Sequence, residues 1–200
     1  MPGGKPAARK VNPAVGDAGA FCDAVFTARP PALRMTPRPG TRDAEALRAA
    51  VEALGLPAAA HDSARRNLVL HGVVLLWHDH WDAAHEIAQS NEGDPDHDLL
   101  HAMVHRREGD HGNAGYWFSG AGKHPGYRIL AERLSVLPLP PEMRALLLPK
   151  GVWSPSAYNE EVRRHSREDL EAVETLAMIQ AEEFRALAWS LFIPPAAAKA

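Results

Sequence analysis

The chain has almost no cysteine: Cys22 stands alone among 200 residues. One thiol closes no intramolecular disulfide, which excludes the small secreted disulfide scaffolds. Thiolate zinc and iron–sulfur sites need cysteine sets and fall with it. Charge of one sign is missing too. The formal net charge is -3, so no overall basic field is present to hold nucleic acid. Long hydrophobic runs are absent: Leu68 to Trp77 is the longest, and His71 interrupts it. That is about half of the ~20 residues a membrane span needs. Lys5, Arg9 and Lys10 are followed by no apolar segment, so no signal peptide is expected and the reading is a soluble cytoplasmic protein. Alternation of β-branched and aromatic residues is never sustained, so strands are not expected.

Proline and glycine concentrate at the front. Pro2, Pro6, Pro13, Pro30, Pro31, Pro37 and Pro39, with Gly3, Gly4, Gly16, Gly19 and Gly40, argue against regular structure over residues 1–40. This stretch reads as an extended N-terminal arm in which Ala20 to Thr27 is apolar enough to dock. Residues 41–192 read as one all-α domain, and 193–200 as a disordered tail after Pro194 and Pro195.

Within the domain, apolar spacings of three and four predict helices over 44–54 and 63–77. Asp82 reads as the cap of a helix over 83–90, and Asp94-Pro95 as the start of one reaching about Arg107. Further helices are expected over 113–121, 127–134 and 142–148, after Ser154-Pro155, and from Ser166 with Asp169 completing a capping-box variant. Leu70-His71-Gly72-Val73-Val74 is echoed 30 residues later by Leu100-His101-Ala102-Met103-Val104. Each copy reads as a helical hairpin, and the fold class is an irregular bundle of α-hairpins with tetratricopeptide-like packing as one form.

Histidine is what the chain has in excess. Of its 11 histidines, nine lie between His71 and His124. His97, His101 and His105 follow at i, i+4 and i+8 and form one stripe of a helix. Neutral imidazole is the commonest metal ligand. His85, His101, His105 and His124 are therefore the candidate ligands for a divalent metal, zinc or iron. Glu108 is the candidate general base. Arg106 and Arg107 are candidate clamps for an anionic small molecule, with Gln89, Asn113 and Tyr116 as further ligand-binding candidates. His97 reads as an exposed first-turn residue and Asn113 as a possible helix cap. His85-Glu86-Ile87-Ala88-Gln89 lacks the second histidine of a zincin, and there is no phosphate loop, no nucleophile elbow and no doubled Glu-x-x-His pattern of the di-iron bundles.

The stretch from Trp77 to Pro125 resembles a family of uncharacterised bacterial and fungal proteins. The residues that carry the likeness are Asp79, His85, Gln89, the string from His101 to Asp110, then Asn113, Tyr116-Trp117, Gly122 and His124-Pro125. Trp153-Ser154-Pro155 and Gln180 with Glu183 are similar too. The resemblance implies a shared helical fold and site, and no particular reaction. Two readings stay open: a metal-dependent enzyme or small-molecule binder, and a helical-hairpin interaction module whose histidines are structural. Nucleic-acid and membrane partners are not expected, and the oligomeric state is not set by the sequence.

Overall fold

The computed structural model describes residues 17–27, 29–165 and 170–194, with side chains 170 and 171 also left aside. Among them the chain is all-α. The helices are α1 (Ala18–Val25), α2 (Ala44–Leu54), α3 (Ser63–Trp77), α4 (Trp81–Gln89), α5 (Pro95–Glu108), α6 (His111–Ala121), α7 (Pro125–Ser135), α8 (Pro141–Leu147), α9 (Pro155–His165) and α10 (Leu170–Leu191). A 3-10 turn, Pro149–Gly151, links α8 to α9. The expected start of the last helix at Ser166 and Asp169 lies outside the described residues, as do 1–16 and 195–200.

Local chemistry explains most boundaries. Asp43 accepts from Ala46 N at the head of α2, and Asp94 accepts from Asp96 N and His97 N at the head of α5, where Pro95 needs no partner. Ser154 Oγ accepts from Ala157 N at the start of α9. Asp82 is no cap: it sits in the first turn of α4, which follows His80. The preceding Asp79 has a left-handed backbone, φ 66°, and its carboxylate is drawn inward to Arg38 and Arg107.

The front of the chain is more ordered than its composition suggests. Asp17 accepts from Gly19 N and Ala20 N and starts α1, whose Phe21 and Val25 are wholly buried. The docking expected of residues 20–27 takes this helical form, so the 40/41 boundary is not where packing begins. Residues 29–40 then cross the domain as a strap. Leu33 is buried, and Met35 N donates to Arg107 O at 2.9 Å. Gln180 Nε2 donates to Pro31 O at 2.9 Å and to Ala32 O at 3.2 Å.

The two echoed segments lie in α3 and α5, the first arms of the hairpins α3–α4 and α5–α6. These hairpins pack side by side, with α3 against both α4 and α5. They do not continue as an array of chain neighbours, because α10 packs on α1, α3, α7 and α9. Its Leu176 and Ile179 join a core with α7, α8 and α9, while Phe184, Leu187 and Leu191 join the core around α1, α3 and α5. With α3, α4 and α6 packed on it and Glu183 of α10 reaching its Arg106, α5 is enclosed, and every residue from His97 to Arg107 is buried. A central helix carrying three histidines and two arginines must find them partners inside the protein, since each unpaired polar group would be costly.

Candidate metal centre

Helices α4 and α5 bring three imidazoles together. One ring nitrogen from each of His85, His101 and His105 lies within 4.8 Å of the other two. His101 and His105 follow at one-turn spacing on α5, and His85 reaches across from α4. Their closeness has a visible cause. Gly72 of α3 lets Ile87 and Leu100 approach until a Cβ there would stand 3.0 Å and 2.5 Å from their side chains. Ile87 is two residues past His85, and Leu100 adjoins His101.

His85 Nε2 and His101 Nε2 are 2.9 Å apart and share a hydrogen bond. His101 Nδ1 is buried without a partner. The His101 ring stacks between Trp117, centroids 4.1 Å apart, and His105, at 4.7 Å. Burial, then the neighbouring His105 and His85, lower His101 from 6.5 to about 4, so this ring is neutral at pH 7.

Glu108 closes one side. His105 Nδ1–H donates to Glu108 Oε2 at 2.6 Å, and Glu108 Oε1 lies 3.8 Å from His85 Nδ1. A carboxylate on Nδ1 fixes the proton there and leaves Nε2 its lone pair. That lone pair accepts from Asn113 Nδ2 at 3.1 Å. The geometry follows from the tight α5–α6 turn. Gly109 adopts φ 88°, which favours glycine. Asp110, not Asn113, caps α6 by accepting from Asn113 N. His85 and Glu108 keep about a third of their side chains exposed, so the cluster opens to solvent on that side.

Other candidates are placed elsewhere. His124 is not with the cluster. It caps α7, its Nδ1 accepting from Gly126 N at 3.0 Å while Nε2–H donates to Asp96 Oδ1 at 2.8 Å. Both its nitrogens are occupied, so it is no fourth ligand. Arg106 and Arg107 are fully buried, and their guanidiniums are taken by protein groups. Arg106 forms a two-pronged pair with Glu183, one bond at 3.1 Å, under the ring of Tyr158. Arg107 donates to Asp79 Oδ1, Leu76 O and Ala32 O. Every side of α5 is covered at this point, which is why neither guanidinium is left to clamp an anion. Gln89 is exposed at the end of α4 with no bond to the imidazoles, and Tyr116 is 69% exposed, touching Trp117 only by its ring edge. His97 is in the first turn of α5 as expected but buried, bonded to Asp94 at 3.0 Å.

Sequence reasoning missed the partners that occupy the arginines, chiefly Glu183 and Asp79, because no local spacing links them to α5. Gln180 holds the strap and Glu183 holds Arg106. Cys22 is a buried free thiol pushed up to about 12 by burial.

The donor set suits a borderline metal. Three imidazoles fit zinc, iron, copper or nickel and do not fit magnesium or calcium, which want oxygen. No helix among the described residues is long and apolar enough to cross a membrane. Compared with protein-family profiles, curated proteins and solved structures, the chain matches none.

Proposed function

We propose that the protein is a metal-dependent enzyme or metal-assisted binder of a small molecule, built on His85, His101 and His105. The observation that carries this is the convergence of three imidazole nitrogens beside a carboxylate that already orients one of them. Three protein ligands with solvent on one side is the pattern of catalytic rather than structural zinc sites. A metal held there would supply Lewis-acid polarisation of a ligand oxygen. The rest is the chain's own work. Glu108 orients His105 and stands at the open edge, where it can take a proton from a bound molecule. Trp117 fixes the plane of His101 by stacking. The His105 lone pair now taken by Asn113 is the one a metal would use, which frees the Asn113 amide for the ligand.

Zinc and iron are the metals of this reading. With Arg106 and Arg107 committed inside the fold, the ligand is recognised by its ability to reach the metal and not by charge at those arginines. The test is elemental analysis of protein purified without a histidine tag, beside His101→Ala/His105→Ala with its helicity checked by circular dichroism. Near-stoichiometric metal that vanishes in a folded double variant is expected. Metal-free protein that takes up neither zinc nor ferrous iron on dialysis would overturn the reading.

A further inference from the structure

A second feature of the molecule has no share in the histidine cluster. A cleft of about 840 Å³ runs between α7 and the segment that joins the 3-10 turn to α9. Its volume is within the ~300–1,000 Å³ usual for small-molecule pockets. The walls are apolar: Ala131 from α7, Val152 and Trp153 from the joining segment, and Ile193 just past α10. Val152 is 65% exposed, an unusual position for a β-branched apolar side chain in a cleft wall. Two polar atoms of the lining residues, Trp153 Nε1 and Tyr127 OH, are buried with no hydrogen-bond partner. Such orphans are costly, and native proteins keep few of them unless a ligand or water answers them.

Charged residues also line the cleft: Lys123, Arg128 and Glu132. Arg128 is bonded to Glu132 at 2.8 Å. Lys123 is exposed and has no carboxylate partner among the described residues. His124 also borders the cleft, but both ring nitrogens are engaged elsewhere. The lining therefore carries one uncompensated cation, Lys123, beside apolar walls.

We propose that this cleft binds a small amphiphilic anion, with its apolar chain or ring against Ala131, Val152, Trp153 and Ile193 and its carboxylate at Lys123. The inference is independent of any metal. Decanoate is the probe and decanol its uncharged counterpart, each titrated into the full chain by calorimetry, with the indole N–H signals followed by NMR. One saturable decanoate site is expected, at least tenfold tighter than decanol, with one indole N–H shifted. Lys123→Glu should abolish the preference for the anion, and Val152→Glu should weaken decanoate at least tenfold. Both positions are exposed, so the fold should survive either change. No saturable binding, equal affinity for decanol, or indifference to both variants would overturn the proposal. So would a dimer that Val152→Glu dissolves in protein that binds no decanoate, which would give the cleft to a second copy of the chain.

Discussion

Replacing Gly72 by alanine tests whether close helix approach is what assembles the three imidazoles. Two opposed effects can be sized. Alanine is favoured over glycine in a helix interior by about 1 kcal/mol. Against this, the new Cβ would stand 2.5 Å from Leu100 Cδ2 and 3.0 Å from Ile87 Cγ2, where carbon atoms prefer roughly 3.5–4.0 Å. Leu100 is wholly buried, so its Cδ2 must turn within a packed core. Ile87 is β-branched and stiff in a helix. The helices must therefore part by about 1 Å, and overpacking of this kind costs about 1–3 kcal/mol. Set against the helix gain, the steric cost leaves a net loss of up to about 2 kcal/mol in urea unfolding followed by circular dichroism. The same displacement moves His85 away from His101, so zinc affinity should fall as well. Gly115 is the control. It lies within α6 with nothing within 4 Å of an added Cβ, and Gly115→Ala should stabilise by about 0.5–1 kcal/mol. If Gly72→Ala proved as stabilising as Gly115→Ala, with metal affinity unchanged, close approach at α3 would not be what positions the site.

Other expectations follow from the same contacts. Glu183→Gln strands the Arg106 charge inside the core and should cost about 3–5 kcal/mol, read by denaturant titration; a loss under 1 kcal/mol would mean that Arg106 finds another partner. Glu108→Gln keeps the shape of the side chain but removes the carboxylate on His105 Nδ1, and should weaken metal binding about 10–100-fold with little change in helicity. In metal-free protein, His101 titrates near 4 folded against 6.5 unfolded. The unfolded chain takes its proton first, so this group's contribution is complete above 6.5 and is lost as pH falls through 4. That amounts to up to about 3 kcal/mol, and His101→Phe should flatten that limb of the stability curve. Asp96 adds an acid limb below it. Although burial pushes its carboxyl up, the His124 and Arg65 bonds bring it to about 2, so its contribution is lost between 3.8 and 2, and Asp96→Asn should remove that limb in an acid titration.

Much of the frame was readable from local chemistry. The spans of α2 and α3 follow from apolar spacing alone, and the start of α5 from Asp94-Pro95. The stripe of His101 and His105 and the nearness of Glu108 are consequences of helical geometry within a few residues. What could not be read was long-range. Arg106 looked like a clamp because its partner Glu183 is 77 residues away, beyond any periodicity. His124 looked like a ligand because a histidine before proline gives no sign that its ring will turn back to cap its own helix. Helix α1 was hidden by the glycine and proline around it, although Asp17 and the Phe21–Val25 spacing mark a short capped helix. Burial of α5 on all sides is a property of the assembled fold, and it decided which of its charged residues were free.

The strap over residues 29–40 makes the order of assembly asymmetric. Its carbonyls at Pro31 and Ala32 are held by Gln180, up to 149 residues further along the chain. Hairpins α3–α4 and α5–α6 join neighbours and close cheaply, whereas a contact of that separation must wait for the chain to be brought round. During synthesis the wait is literal. At about 5–20 residues per second, the strap leaves the ribosome roughly seven to thirty seconds before α10 exists to receive it. Through that interval Arg107 can find Asp79 and the Ala32 carbonyl, but Arg106 has no Glu183. The nascent protein completes its central helix only when its last helix arrives.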